Sequence, residues 1–325
     1  MNAGIVGCGL IGQKRARALG ACALAACADV VPERAVALAR SVPGAEAVPD
    51  WRALVERRDV DVVIVATTHD ALARVTRAAI EAGKPVLVEK PAARNAAELE
   101  PVVRAAEQAK VLVRVGFNHR YHRAFRKARE LFDEGALGPL MYIRARYGHG
   151  GRPGYDKEWR AQPQVSGGGE LIDQGIHLVD LARWFLGDFS QVQGFAHTYY
   201  WDTPAEDNGF MLLRTAQQQV AFLHASWTEW KNLFSFEIFG RDAKLEIEGL
   251  GGSYGVERLR YYHMLPHLGP PETTIWEYPM ADDSWEVEFS EFLEDIRLGR
   301  QPAADLHDAY AALDVIGRIY KGSGL

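Results

Sequence analysis

Ala3-Gly4-Ile5-Val6-Gly7-Cys8-Gly9-Leu10-Ile11-Gly12 is the stretch that decides the fold. Ala3 to Val6 is a short apolar strand, and Gln13 to Leu19 is helix-forming, so the Gly-x-Gly-x-x-Gly run sits between strand and helix. In that context Gly7 permits a tight turn, Gly9 lets a pyrophosphate reach the backbone, and Gly12 lets helix pack on strand. The N-terminus of the helix, with Leu10 and Ile11 in its approach, offers unpaired N–H groups to the phosphates. A second strand, Ala23 to Ala28, leads to Asp29, 17 residues after Gly12. An acid there accepts the adenosine ribose hydroxyls and repels a 2′-phosphate. Val30-Val31-Pro32 supply no arginine or serine to welcome that phosphate, so NAD is expected over NADP. The competing role for Asp29 is to cap the helix that begins near Pro32.

Alternation continues outward from this unit. Val60–Ala66, Lys84–Val88 and Val111–Val115 are strands, separated by helices from about Ala71 to Ala82 and Ala96 to Gln108. Repetition of this kind predicts an α/β fold, a doubly wound parallel sheet. Thr67, Glu89-Lys90 and Asn118 then fall at strand carboxyl ends, the edge where open α/β sheets hold ligands. Lys90 is the conspicuous one: an apolar strand ends in a lysine, and Pro91 stops further pairing. Taken alone, a surface Glu-Lys pair would explain it equally well.

A chain of 325 residues is long for one core and predicts two domains, 1–118 and 119–325, with the C-terminal helix free to return to the first. Hydrophobic content of 48% and charged content of 25% are those of a globular protein. The net charge of −6 argues against a nucleic-acid partner, and no apolar stretch reaches membrane-span length. There is no signal-peptide pattern, and Cys8, Cys22 and Cys27 read as reduced core residues, which points to the cytoplasm.

The second dense passage is Gly167-Gly168-Gly169-Glu170-Leu171-Ile172-Asp173-Gln174-Gly175-Ile176-His177-Leu178-Val179-Asp180. A glycine loop leads into a helix ending near Leu186, with Asp173, His177 and Asp180 on one face. A solvated polar stripe is one explanation, but such faces usually carry Lys, Glu and Arg. Metal ligation lacks a further His/Cys cluster, so acid/base chemistry is preferred. Afterwards the period becomes two: Leu140–Tyr147, Val192–Tyr199, Gly209–Arg214, Gln219–Trp227, Phe234–Phe239, Lys244–Ile247, Val256–Tyr262 and Thr274–Tyr278 are candidate strands. They predict a C-terminal α+β domain with a large, open, mostly antiparallel sheet. Tyr199, Tyr200, Trp201, Phe222, Trp227 and Trp230 are expected on its outer face as a subunit interface.

Gly7-x-Gly9-x-x-Gly12, Glu89-Lys90-Pro91, Gly116-Phe117-Asn118-His119-Arg120 and Gly168-Gly169-x-x-x-Asp173-x-Gly175-x-His177-x-x-Asp180 occur in order over nearly the whole chain. Together they resemble the Gfo/Idh/MocA (glucose-fructose oxidoreductase/inositol dehydrogenase) family. The resemblance implies hydride transfer between a nicotinamide and a sugar or cyclitol carbon. It also implies homodimers or homotetramers formed through the open sheet. Lys90, Asp173 and His177 match the family's catalytic set, and the cofactor would lie along Gly7–Gly12, Asp29, Thr67, Glu89, Lys90 and Asn118. The residue types suit that chemistry: His177 as base, Lys90 as donor to the substrate oxygen, Asp173 as an orienting group.

The substrate is less legible. His149 to Arg160 is rich in glycine, aromatics and cations, and Arg120, Tyr155, Trp159 and Arg160, with Asp173 and His177, are the expected substrate contacts. Arginines near the cleft favour an anion, unless they pair with acids such as Glu158. The passage His149 to His177 is similar to nucleotide-sugar members of the family, which implies oxidation of UDP-N-acetylglucosamine at its 3-hydroxyl. A free-sugar or inositol dehydrogenase is the alternative, and a non-catalytic NAD-bound regulator is a third.

Overall fold

The computed structural model describes residues 1–325. The chain forms two compact units. One comprises Met1–Asn118, Gln164–Gly167 and Trp285–Leu313; the other comprises His119–Pro163, Gly168–Ser284 and Asp314–Leu325.

The first unit is built on β1 (Asn2–Val6), β2 (Ala23–Ala28), β3 (Glu46–Ala47), β4 (Val62–Val65), β5 (Val86–Glu89) and β6 (Val113–Gly116). All pairs are parallel, in the order β3-β2-β1-β4-β5-β6. The helices are α1 (Leu10–Arg17), α2 (Pro32–Ser41), α3 (Trp51–Val55), α4 (His69–Glu81) and α5 (Ala96–Ala109). The order reverses between β1 and β4, and a ligand crevice opens at such a switch point. Val62 to Val65 and Val86 to Val88 are wholly buried, as expected of strands covered on both faces. The sequence reading had no β3 or α3. Glu46-Ala47 is too short to show a period, and β2 recruits it by edge pairing.

Residues 164–167 and 285–313, expected within a second domain of 119–325, belong to the first unit. Phe289 and Phe292, from the helix Ser284–Leu298, pack with Ile5, Leu24, Cys27 and Ile64. Buried ion pairs tie the same helix in: Arg15 to Glu288 at 2.6 Å, and Arg114 to Asp295.

The second unit carries an eight-stranded sheet. Its strands are β7 (Leu140–Gly148), β8 (Phe189–His197), β9 (Asn208–Thr215), β10 (Val220–Ser226), β11 (Leu233–Gly240), β12 (Ala243–Glu248), β13 (Glu257–His263) and β14 (Glu272–Tyr278). The order is β14-β13-β12-β11-β7-β10-β9-β8, antiparallel except for β7 with β10. One face buries Ile143, Ala145, Leu213, Leu223, Phe236 and Ile238. Against it lie α6 (Arg123–Asp133) and the helix Ile176–Leu186.

The opposite face exposes Tyr142, Phe195, Leu212 and Phe222. Of the six aromatics expected there, only Phe222 sits mid-strand and exposed. Trp227 is fully buried against Tyr155 and Ala205, while Tyr199, Tyr200, Trp201 and Trp230 occupy loops outside β8 and β11. Strand alternation stops before those residues, so period two assigns them no sheet face. No helix is long and apolar enough to cross a membrane.

Candidate active site

In the first unit the three glycines do three different things. Gly7 has φ +97°, and a Cβ on it would lie 2.4 Å from the Ala66 carbonyl oxygen. A Cβ on Gly12 would lie 1.9 Å from the Gly7 oxygen, so α1 crosses β1 at a distance only glycine allows. A Cβ on Gly9 would meet nothing within 4 Å. Gly9 is also the N-cap of α1 and brings no side chain to its first N–H groups. Open backbone next to an uncapped helix start is a cradle for a pyrophosphate.

Asp29 accepts from the Cys8 N–H at 2.6 Å through one carboxylate oxygen and from the Val31 N–H at 2.8 Å through the other. It therefore fastens the glycine turn to the end of β2, and each oxygen keeps a lone pair for a ribose hydroxyl. The cap of α2 is Val31, not Asp29. Leu10, at the start of α1, and Val30, next to Asp29 in the chain, stand 71% and 90% exposed.

Thr67 follows β4, Lys90 follows β5 and Asn118 follows β6, along one edge of the sheet. Glu89 differs from expectation. It is buried within β5 and binds Arg15 Nε at 2.6 Å, bracing α1 rather than presenting a carboxylate to a cofactor.

In the second unit the glycine loop enters a π-helical turn, Leu171–Gly175, before the α-helix Ile176–Leu186. Insertions of this kind re-aim side chains and recur at functional sites. The polar stripe is no solvated face: Asp173, His177 and Asp180 are 7%, 4% and 0% exposed. Asp180 takes Arg120 Nε at 2.8 Å and Nη2 at 2.5 Å. Arg120, expected on the substrate, is thus a buried, bidentate partner of the helix. Asp173 accepts from Arg160 Nε at 3.0 Å. His177 lies flat on His119, ring centroids 3.8 Å apart.

Profiles of two families match this chain. Residues 1–117 match the oxidoreductase family with an NAD-binding Rossmann fold, and residues 125–246 match the GFO/IDH/MocA C-terminal domain. Levoglucosan dehydrogenase of Pseudarthrobacter phenanthrenivorans is 30% identical over 67% of this chain and 59% of its own length. The chain belongs to the Gfo/Idh/MocA family. Inositol 2-dehydrogenase 2 of Saccharopolyspora erythraea is 28% identical over 97% of this Gfo/Idh/MocA chain and 91% of its own. A levoglucosan dehydrogenase structure in complex with NADH shares the fold, with a TM-score of 0.89, 24% identity and 99% and 98% coverage.

For this Gfo/Idh/MocA protein the loop before the helix reads differently in three dimensions. Tyr155 is 5% exposed and packs edge-on to Trp227, in the core of the loop. Trp159 stacks under the Arg160 guanidinium at 4.6 Å. Arg152 pairs with Glu158, and Arg123 reaches Asp283 at 2.7 Å.

Two residues that sequence reasoning missed stand beside the stripe, Tyr147 at the end of β7 and Tyr254. Burial raises the Tyr147 hydroxyl well above the usual range, and raises Tyr254 to about 12. Gln174, in the π-helical turn, donates to the Tyr254 hydroxyl at 3.4 Å. Burial also lowers the His149 imidazole, against the pull of Asp173. These are neutral hydroxyl, amide and imidazole groups, able to exchange hydrogen bonds with a polyol. Tyr147 ends an inward-facing alternation next to the loop, a usable signal; Tyr254 is far along the chain and had none.

Proposed function

We propose that this protein oxidises a secondary hydroxyl of a neutral sugar or cyclitol in the cytoplasm, with NAD as hydride acceptor. The supporting observation is the fate of the arginines. Arg120 and Arg160, expected on the substrate, and the nearby Arg123 and Arg152 each hold an acid of the protein itself. Arg120 and Arg160, each neutralised by a buried carboxylate, have little to offer a pyrophosphate, while Arg123 and Arg152 hold their acids in more exposed pairs. The relatives' names, levoglucosan and inositol dehydrogenases, agree with a neutral ring.

NAD, when bound, supplies the acceptor for the hydride. Gly9 and the start of α1 would hold its phosphates, Asp29 its adenosine ribose, and Thr67 and Asn118 its nicotinamide half. His177 takes the proton of the reacting hydroxyl, and Lys90 donates to the oxygen as its C–O bond gains double-bond character. Asp173, held by Arg160, accepts from a neighbouring hydroxyl and fixes the ring. Two copies or more would meet through the open sheet face around Phe195, Leu212 and Phe222. Replacing Phe195 and Phe222 by Asp should then yield monomers in sedimentation.

NADH absorbance with myo-inositol, levoglucosan, glucose, UDP-glucose and UDP-N-acetylglucosamine, each with NAD and NADP, tests this. Inositol or an anhydro-sugar should turn over faster than either nucleotide sugar, and NAD should outperform NADP. Lys90→Ala and His177→Ala should lose most turnover while still binding NADH. Faster turnover of a nucleotide sugar would move the assignment to 3-hydroxyl oxidation of that class. NADH binding with no turnover of any substrate would indicate a regulator.

A further inference from the structure

The π-helical turn that carries Asp173 is anchored at its start by a buried carboxylate that the mechanism does not use. Glu206, 3% exposed and just ahead of β9, accepts from Gly169 N–H at 2.8 Å and from Leu171 N–H at 3.0 Å. Its third donor is the Tyr320 hydroxyl at 2.7 Å, from the helix Leu306–Ser323. The fit leaves no slack. A Cβ on Gly168 would lie 2.0 Å from the Tyr320 hydroxyl, and one on Gly169 would lie 2.0 Å from the Glu206 carbonyl oxygen. The loop's glycines therefore serve this contact as well as any ligand. Asp173 N–H bonds back to Gly169 O at 3.1 Å, so the clasped residue is also the first support of the site acid.

We propose that Glu206, with Tyr320, is a positioning residue for the oxidation assigned above: its ionised form sets where the turn begins, and hence where Asp173 and His177 stand. Only an acceptor-only carboxylate can face three donors; a protonated one turns an O–H toward an N–H. Burial raises this carboxyl to about 7, while the three donors pull it down. The titratable group that faces it is Tyr320 on the C-terminal helix, beside the backbone N–H groups of Gly169 and Leu171. Its chain neighbour Asp207 is occupied by the N–H groups of Tyr199, Tyr200 and Trp201. With the carboxyl raised, the clasp is intact above about 7 and loosens as pH falls.

This rests on the proposed dehydrogenase activity, so the test has one arm that needs no turnover. In Glu206→Gln, kcat should drop about tenfold or more, with NADH affinity within about twofold of the parent. The acid limb of its kcat profile should lose the Glu206 step. Tyr320→Phe removes a donor to the anion, so its acid limb should move up by about half a unit or more, the alkaline plateau being retained. A limb due to His177 alone would stay in place. Amide hydrogen exchange at Gly169 and Leu171 should quicken in both variants and, after correction for intrinsic rates, in the parent below pH about 7. Absence of turnover in the parent would remove the dehydrogenase assignment and leave the exchange arm standing. Unchanged exchange, or unchanged kcat and pH profile in both variants, would overturn the clasp. Should Glu206→Gln fail to fold, as judged by NADH binding and melting, Tyr320→Phe decides alone.

Discussion

The imidazole of His177 rests on that of His119, with centroids 3.8 Å apart and planes inclined by 24°. His119 in turn lies edge-on to His122, which bonds Glu257 at 3.2 Å. A ring proposed to take up a proton is thereby held flat against a second aromatic ring in a buried setting. His119→Phe keeps that surface and should retain activity within a few-fold. His119→Ala frees the ring and should cost about tenfold or more in kcat, through lost orientation. Steady-state kinetics of the two variants, with NADH binding as a control, check the difference.

Asp29 fastens the glycine turn and is proposed to receive the adenosine ribose, so a single substitution should disturb both roles. Asp29→Ala leaves the N–H groups of Cys8 and Val31 without their partner, at a cost of about 1–3 kcal/mol. It also removes the negative charge that repels a 2′-phosphate. Lower thermal stability, a higher KM for NAD and a smaller preference over NADP are expected together. Calorimetry and cofactor kinetics on one preparation measure all three.

Arg120 and Asp180 form a buried bidentate pair. Removing one partner strands the other charge, so Arg120→Ala should destabilise by about 3–5 kcal/mol in denaturant unfolding. Asp180→Asn should cost less, since the amide oxygen still accepts. A substrate-contact role would instead raise KM with stability unchanged.

One guanidinium, Arg15, serves two carboxylates, Glu89 and Glu288. Burial, with Glu89 nearby, raises the Glu288 carboxyl to about 7 despite Arg15. The folded state then binds this proton more tightly than the unfolded chain does. Stability from this group is present at low pH and falls as pH rises from the ordinary carboxyl range through about 7. Melting temperatures of the parent and Glu288→Gln at pH about 5 and about 8 should diverge, the variant losing less on the alkaline side.

Much of this was legible locally. The Gly7–Gly12 turn, the strands around Val62–Val65 and Val86–Glu89, and the eight period-two segments each carry their signal within a few residues. Local pattern determines local conformation because it rests on backbone sterics and the spacing of apolar side chains. Asp173, His177 and Lys90 became candidates for a related reason: polar groups stood where a core or strand pattern asked for apolar ones.

The sequence by itself determined the two kinds of sheet and the dinucleotide-binding turn, and it singled out Lys90, Asp173 and His177 as candidates for alcohol oxidation. Which charges remain available to a substrate was decided by tertiary structure alone. Arg120 and Asp180 are 60 residues apart, Arg15 and Glu288 are 273 apart, and Glu206 and Tyr320 are 114 apart. No local period encodes such pairings, because they form only when the chain buries both partners and a buried charge must find its counterpart. The acids held by Arg120, Arg123, Arg152 and Arg160 are pairings of the same kind, and they support the proposal of a free sugar or cyclitol over a nucleotide sugar.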